Sequence, residues 1–246
     1  MDYNERRLEG ATVVVMGASA GIGLAAARAL ANAGAEVTIT GRNRKNLDEA
    51  VALLDHQKIS VARVDGTDEH DVREFFAHIE LIDHLVVAFG GDDTPEWFRD
   101  TEIARWRRHF DDKFFAQLRV LQYALPRMRR DGSITVATGS VARSAIVGAA
   151  LWAATDGAMD AAIPTLALEF APVRLNAITP GVIHTRWWDR MPAAQRHRMF
   201  DKVARRIPLG RVGTADEVGH AVRFLAENDY VTGVVLGVDG GASLVG

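Results

Sequence analysis

The chain has 246 residues, of which 48% are hydrophobic and 25% are charged, and its net charge at pH 7 is −3. This length suits a single α/β domain with an ample core, and the near balance of charge gives no reason to expect a nucleic-acid or anionic-membrane partner. The absence of cysteine excludes disulfides, cysteine-bound zinc and a thiol nucleophile, and the eight histidines show no metal-binding spacing. With a polar N-terminus and no run of about 18 apolar residues, we expect a soluble, cytoplasmic protein.

Short apolar runs alternate with longer helix-like segments along the whole chain. Seven runs are predicted as strands: 11–16, 35–40, 59–64, 82–88, 133–138, 173–179 and 234–238. They are almost continuously apolar, which is typical of parallel strands buried on both faces. Strand–helix–strand alternation of this kind predicts a Rossmann-type α/β fold, a doubly wound parallel sheet in three layers.

Two segments between the strands have distinctive patterns. In the segment 99–130 apolar residues follow a helical spacing, at Phe110, Phe114, Leu118, Leu121 and Leu125, so we expect one long helix. The segment 182–208 contains clustered aromatic and arginine residues and no predicted strand, and we interpret it as a loop-plus-helix lid. No linker or repeat divides the chain, so residues 1–246 are predicted to form a single domain.

A glycine-rich turn follows the first predicted strand. It reads Gly17-Ala18-Ser19-Ala20-Gly21-Ile22-Gly23 and opens an alanine-rich helix. Glycines permit a tight turn and close backbone approach, so that a pyrophosphate can bind at the helix N-terminus. The sequence therefore predicts that Gly17, Ser19, Ala20, Gly21, Ile22 and Gly23 bind a dinucleotide; the alternative is a turn that uses glycine for steric reasons alone.

The second predicted strand indicates which dinucleotide is preferred. An NAD-binding protein typically has an acidic residue at the end of this strand to bind the ribose 2′-hydroxyl, but here no acid occurs between the strand end and Asp48. Arg42 follows the strand instead and can pair with a 2′-phosphate. We therefore expect NADP(H) to be preferred over NAD(H); the alternative is an arginine that only covers the strand end in solvent.

The G-x-x-x-G-x-G spacing resembles that of the short-chain dehydrogenase/reductase family, and the resemblance covers nearly the whole chain. Asp65 matches the family's adenine-contacting aspartate, and the segment 176–181, which ends at Pro180 and Gly181, resembles the segment beside the nicotinamide. Residues 231–233 and 238–241 resemble the C-terminal signature. The resemblance implies that Thr185 contacts the cofactor's carboxamide and that the protein is a homo-oligomer, a dimer or a tetramer.

The family's catalytic pattern is altered in this chain. The family normally uses a serine, a tyrosine and a lysine four residues after the tyrosine. Here Ser140 occupies the serine position, but Trp152 and Asp156 stand in place of the tyrosine and the lysine. An indole N–H donates hydrogen bonds but is not a proton source at neutral pH. The family's Asn-Asn-Ala-Gly segment is also replaced, by residues 87–90, of which Gly90 is retained and is expected beside the cofactor.

Lys113 occupies a position where the family normally has an asparagine on the long central helix. We hypothesise a charge relocation, in which Lys113 reaches Asp156 and the pair occupies the place of the usual lysine. Asp156 then accepts from the nicotinamide ribose hydroxyls, while Lys113 or Ser140 serves the substrate oxygen, because a desolvated lysine can act as a general acid. The alternative is a solvated lysine among Asp111 and Asp112.

The lid segment suggests the kind of substrate. Its aromatic and methionine side chains are predicted to line an apolar substrate pocket; they are Trp187, Trp188, Met191, Met199 and Phe200. Packing of the lid against the core is the alternative. The sequence therefore predicts an NADP(H)-dependent oxidoreductase acting on a small-molecule carbonyl or alcohol with an altered proton donor. The alternative function is a non-catalytic NADP(H)-binding sensor or partner subunit.

Overall fold

A seven-stranded parallel sheet forms the centre of the computed structural model, which describes residues 8–54, 58–90 and 94–245. Its strands are β1 (Thr12–Met16), β2 (Glu36–Gly41), β3 (Ile59–Arg63), β4 (Ile82–Val87), β5 (Met128–Ala137), β6 (Arg174–Pro180) and β9 (Val235–Val238). They are ordered β3-β2-β1-β4-β5-β6-β9. The predicted doubly wound parallel sheet in a single Rossmann-type domain is confirmed.

Helices cover both faces of this sheet. They are α1 (Gly21–Ala31), α2 (Arg44–Leu54), α3 (Glu69–Ala77), α4 (Ile103–Phe110), α5 (Ala116–Ala124), α6 (Ala150–Phe170), α7 (Ala193–Ala204) and α8 (Ala215–Glu227). One core cluster joins the sheet to α1, α2 and α8, and a second joins it to α3, α5 and α6. In β1, Val13 and Val15 face the first cluster, whereas Val14 and Met16 face the second. This alternation explains why the strand sequences are apolar at nearly every position.

The predicted helix over 99–130 is wrong at both ends. A short 3₁₀ turn at Phe98–Asp100 precedes α4, and another at Leu125–Arg127 follows α5. The chain then enters β5 at Met128, five residues before the predicted strand start. Pro126 has no N–H to continue the helix, and Met128 pairs with Ile82 of β4. The first residues of β5 therefore form a strand because they pair with β4, although their local composition resembles a helix end.

The predicted apolar stripe on this long segment is also displaced. A π-helical turn at Asp111–Phe115 separates α4 from α5. Of the five stripe residues only Leu121 is fully buried, whereas α5 buries Ala116, Gln117, Val120, Leu121 and Ala124. A π turn adds one residue to the helical repeat, so the buried face after it is rotated relative to the 3.6-residue pattern.

The segment 182–208 contains a strand, contrary to the prediction. The two-residue strands β7 (Ile183–His184) and β8 (Gly213–Thr214) pair in parallel, with Ile183 opposite Gly213. A 3₁₀ turn at Arg186–Arg190 and helix α7 follow β7. The partner strand lies beyond the segment itself, so the local sequence did not reveal the pairing.

The order of the strands fixes where a ligand crevice lies. The chain moves outward from β1 to β2 and β3, then returns to the other side of β1 with β4. At such a reversal the loops after neighbouring strands separate and leave a crevice at the carboxyl ends. In the part of the chain that the structure describes, none of the helices combines the length and apolar character needed to cross a bilayer.

Candidate functional site

The glycine-rich turn forms a compact loop between β1 and α1. Gly17 has a φ of +83° and Gly21 a φ of +59°, which are left-handed conformations that favour glycine. A Cβ on Gly23 would come within 2.3 Å of the Gly17 carbonyl oxygen, so the turn has no room for a side chain there. The loop therefore brings the backbone of three glycines to the start of α1.

The N-terminus of α1 is suited to an anionic group. Its N-cap residue, Ala20, provides no side-chain hydrogen bond, and no acidic residue lies in the first turn. The first amides of a helix have no intrahelical acceptor and carry a partial positive charge. A Cβ on Gly21 would lie 3.6 Å from Thr185, so the turn and the lid segment face one another here. These features fit a dinucleotide pyrophosphate.

Ser19, Arg42 and Asp65 lie around the same edge of the sheet. A Cβ on Gly41, the last residue of β2, would be 3.6 Å from the Ser19 Cβ, which places Arg42 next to the glycine-rich turn. The nearest acid after it along the chain, Asp48, is already bound by Arg44 at 2.9 Å. Asp65 Oδ1 accepts from the Thr67 N–H and hydroxyl at 3.0 and 2.7 Å, which holds its carboxylate in place after β3.

Lys113 and Asp156 form a buried ion pair. Lys113 Nζ lies 2.5 Å from Asp156 Oδ1, and the two side chains are 15% and 4% exposed. Lys113 is on the π turn between α4 and α5, whereas Asp156 is on α6, so the contact joins elements 43 positions apart in sequence. The structure thus brings together the two residues of the charge-relocation hypothesis and does not place Lys113 among solvated aspartates.

Two glycines make room for this pair at the ends of the central strands. A Cβ on Gly90, after β4, would lie 3.2 Å from Lys113 Cε. A Cβ on Gly139, after β5, would lie 2.8 Å from Asp156 Oδ2. One turn after Lys113, the Gln117 side-chain amide donates to the carbonyls of Phe89 and Ala137 at 3.1 and 3.2 Å, and so ties the two strand ends together. The ion pair therefore lies on the crevice side of both strands.

Ser140 and Trp152 flank the pair without bonding to it. Ser140 begins a 3₁₀ turn directly after Gly139 and is 9% exposed. Trp152 precedes Asp156 by four residues, so both side chains project from one face of α6. No hydrogen bond joins Ser140 or Trp152 to Lys113 or Asp156, all of which lie within the described residues.

The aromatic residues of the lid segment pack against Trp152. Trp152 meets Trp187 edge-on with ring centres 5.8 Å apart, and Trp187 meets Trp188 at 4.5 Å. Trp188 in turn contacts Phe200 at 5.7 Å. These four half-buried rings, which we call the aromatic stack, connect α6 to α7 through the 3₁₀ turn Arg186–Arg190. The stack therefore packs the segment 182–208 against the long helix α6.

The replaced segment after β4 contains Phe89, which packs against two glycines of neighbouring turns. The ring of Phe89 occupies the space where a Cβ on Gly66 would be, at 2.8 Å from two ring atoms. The Phe89 Cβ also lies 2.8 Å from the position of a Cβ on Gly17. A large residue after β4 is thus matched by glycines in the turns after β1 and β3. The altered motif therefore leaves these turns intact.

Sequence reasoning missed Asp160, which lies one turn after Asp156 on α6. Asp160 Oδ1 accepts from the Thr138 hydroxyl at 2.8 Å, and Oδ2 lies 3.6 Å from Arg143 Nε. The available signal was an acid four residues after Asp156 in a largely apolar stretch of α6. Pro180 is buried at the end of β6, and a Cβ on the adjacent Gly181 would lie 2.9 Å from Asp239 Cα, so those two positions serve the close packing of β6 against β9.

The chain matches known proteins over nearly its whole length. Residues 17–243 match a family described as enoyl-(acyl carrier protein) reductase. The chain is 30% identical to the 3-oxoacyl-[acyl-carrier-protein] reductase FabG of Thermotoga maritima, over 96% of this chain and 98% of that protein. It is 32% identical to the gluconate 5-dehydrogenase of Gluconobacter oxydans, over 96% of each chain.

Solved structures of dehydrogenases superimpose on this chain over nearly its whole length. A small-chain dehydrogenase crystallised with NADPH superimposes with a TM-score of 0.82, at 30% identity over 96% of this chain and all of that one. The ligand-free aldohexose dehydrogenase of Thermoplasma acidophilum superimposes with a TM-score of 0.86, at 26% identity over 96% and 95% of the two chains. The chain belongs to the short-chain dehydrogenase/reductase family of oxidoreductases.

Proposed function

We propose that this protein is an NADP(H)-dependent oxidoreductase that interconverts a carbonyl and an alcohol, with Lys113 as the proton donor. The observation that carries the proposal is the buried ion pair of Lys113 with Asp156, set between Gly90 and Gly139 at the crevice. The Lys113 ammonium group, which comes from the π turn between α4 and α5, takes the place of the lysine that the family has on α6. The protein then retains a cation and a proton source in the site despite Trp152 and Asp156.

When bound, the cofactor supplies or accepts the hydride. In the reductive direction the carbonyl carbon takes up a hydride and its oxygen takes up a proton from Lys113 Nζ, which becomes a neutral amine. Asp156 holds Lys113 through the ion pair, and the low exposure of both side chains excludes water that would weaken their interaction. Ser140, directly after Gly139, orients the substrate oxygen as a hydrogen-bond donor.

The position of Arg42 supports a preference for NADP(H). It follows β2 next to the glycine-rich turn, and the nearest downstream acid is paired with Arg44. A guanidinium binds a phosphate through charge-assisted hydrogen bonds, whereas a 2′-hydroxyl prefers a carboxylate. The NADPH complex of a structural relative points in the same direction.

The aromatic stack supports an apolar substrate. Trp152, Trp187 and Trp188 form one wall of the crevice, and aromatic rings bind apolar groups well in partly buried sites. Trp152 thus provides an apolar surface for the substrate at the position where the family has its acid–base tyrosine.

Cofactor choice is tested by calorimetric titration with NADPH and, separately, with NADH. We expect tighter binding of NADPH, and we expect Arg42→Ala to weaken NADPH binding about tenfold or more while NADH binding is unchanged. Arg44→Ala is the matched control, because Arg44 is exposed and pairs with Asp48. Equal affinities for the two cofactors in the wild type would refute the assigned preference.

Turnover is tested by transfer of deuterium from labelled NADPH to a panel of apolar ketones. Stereospecific transfer that Lys113→Ala abolishes supports the proposal; a variant with unchanged turnover and cofactor affinity rules out Lys113 as the donor. The loss of the tyrosine and of the lysine on α6 favours a second candidate, an NADP(H)-binding sensor or partner subunit. That function predicts tight NADPH binding with no label transfer to any substrate.

A further inference from the structure

The positive charge of the chain is concentrated in the segment 182–208, which the sequence analysis interpreted as a lid. This segment contains seven lysines and arginines and two aspartates, so its net charge is +5. The remaining residues include 22 basic and 30 acidic side chains and have a net charge of −8. The overall charge of −3 therefore combines two regions of opposite sign, and the positive region is one short stretch of sequence.

Both ends of this segment lie at the carboxyl edge of the central sheet. Near its start, Thr185 faces the glycine-rich turn after β1, since a Cβ on Gly21 would be 3.6 Å from the Thr185 side chain. Near its end, Ile207 packs against the turn after β9, where a Cβ on Gly240 would come within 2.8 Å of it. The Leu209 N–H also donates to the Gly240 carbonyl at 3.2 Å. The positive segment is thus anchored at the edge of the sheet where we place the cofactor.

Most of the positive charge of the segment is not neutralised locally. Its two aspartates have partners of their own, because Asp189 pairs with Arg196 at 2.5 Å and Asp201 lies 3.7 Å from the His197 ring. Five of the seven cations are exposed and form no ion pair with any residue in the ranges that the structure describes. These five are Arg186, Arg198, Lys202, Arg205 and Arg206. Exposed charges of one sign around a crevice produce a field that extends into the solvent.

The ligand proposed for this crevice is an anion. NADPH carries a negatively charged pyrophosphate, and its 2′-phosphate adds a charge of about −1.5 to −2 near pH 7. A protein with a net charge of −3 would repel such a ligand if its charge were spread evenly. The separation of charge reverses this effect at the carboxyl edge and strengthens it over the rest of the surface.

We propose that the segment 182–208 steers the anionic cofactor to the crevice and so raises its rate of association. The five exposed cations attract the cofactor over about one Debye length, which is ~10 Å at 0.1 M salt and exceeds the reach of a hydrogen bond. Steering of this kind changes the association rate, whereas the dissociation rate depends on direct contacts in the bound state. This inference rests on the proposed binding of NADP(H).

Stopped-flow mixing with NADPH measures the two rates separately. The chain has five tryptophans, whose excitation energy passes to the reduced nicotinamide when the cofactor binds. The dependence of the observed rate on NADPH concentration gives the association rate constant as its slope and the dissociation rate constant as its intercept. The measurement needs no substrate and no turnover.

Arg198 and Lys202 are the residues to change, since both are exposed and they lie one turn apart on α7. At about 20 mM ionic strength we expect Arg198→Gln with Lys202→Gln to lower the association rate constant about threefold, and the two changes to glutamate to lower it about tenfold. The dissociation rate constant should not change. At about 0.5 M salt the association rate constants of all the variants and the wild type should converge, because the charges are then screened.

The matched control removes the same amount of charge at the opposite edge of the sheet. Arg127→Gln with Arg130→Gln alters two cations at the amino end of β5 and gives the same net charge as the neutral α7 variant. We expect its association rate constant to stay within about 1.5-fold of the wild type at low salt. An equal decrease in the two double variants would show that only net charge matters and would overturn the inference.

Two further results would also overturn it: an unchanged association rate in the α7 variants at low salt, or a change confined to the dissociation rate. If the α7 variants fail to fold, the wild type decides, because an association rate that does not fall with added salt contradicts steering. The failures are distinguishable. Absent NADPH binding in the calorimetric titration refutes the proposed function together with this inference, whereas binding at a rate that ignores these charges refutes the inference alone.

Discussion

Removing either member of the Lys113–Asp156 pair should destabilise the protein, by unequal amounts. Lys113→Met leaves the Asp156 carboxylate, which is 4% exposed, without its cation. Loss of one partner from a buried pair costs about 3–5 kcal/mol. Asp156→Leu leaves Lys113, which is 15% exposed and lies beside the exposed Gly90. Because its long side chain can turn toward water, we expect a smaller cost of about 2 kcal/mol.

The double variant provides the decisive comparison. With both charges of the pair gone, the apolar side chains of Lys113→Met and Asp156→Leu fill the same space, and neither variant position leaves an unpaired charge. We expect its free energy of unfolding to lie within about 1 kcal/mol of the wild type. The double variant should therefore lose much less stability than the two single variants lose together. Urea unfolding followed by circular dichroism, at one protein concentration, measures all four proteins. Single variants within about 0.5 kcal/mol of the wild type would show that the pair is solvated, and would refute the reasoning.

Two further predictions concern positions outside the ion pair. Gly66→Ala is expected to lower the melting temperature, because its Cβ would meet the Phe89 ring at 2.8 Å. Phe89→Ala also lowers it by removing a half-buried ring, but in that background Gly66→Ala should cost much less; an equal cost in both backgrounds would contradict the size match. Hydrogen bonds from Arg211 lower the pKa of Glu217 to about 2 from an ordinary 4.5, so its stabilising effect is complete above about pH 4.5 and is lost as the pH falls toward 2. The difference in melting temperature between wild type and Glu217→Gln should therefore shrink as the pH is lowered through this range; a constant difference would argue against it.

The positions of the strands in the seven-stranded sheet were predictable because burial on both faces produces an easily recognised sequence pattern. A parallel strand covered by helices must be apolar at nearly every residue, and the glycines of the first turn mark the place where a strand gives way to a helix. The one strand of the seven-stranded sheet whose start is misplaced by more than one residue, β5, begins at Met128 and includes charged residues. Arg129 of that strand lies 3.1 Å from Asp83 of the neighbouring strand, a contact that no local pattern indicates.

The charged part of the candidate site was predictable only where single residues departed from an expected pattern. Lys113 and Asp156 stood out because each replaced a residue of different charge. Asp160 did not, since its partners Thr138 and Arg143 belong to another element and come together only in the fold. The π turn could not be predicted from the sequence either, because it depends on how the helix packs and not on which residues it contains. The apolar spacing therefore suggested a regular helix.

The aromatic stack has a mechanical consequence for ligand entry. Because Trp152 belongs to the long helix α6 and Trp187 to the segment 182–208, that segment cannot move outward as a unit without separating their rings. Any such movement would expose indole surface on both sides and would be opposed by this contact. It also gives the protein an internal optical signal, since tryptophan emission shifts when a ring passes from a packed to a hydrated environment.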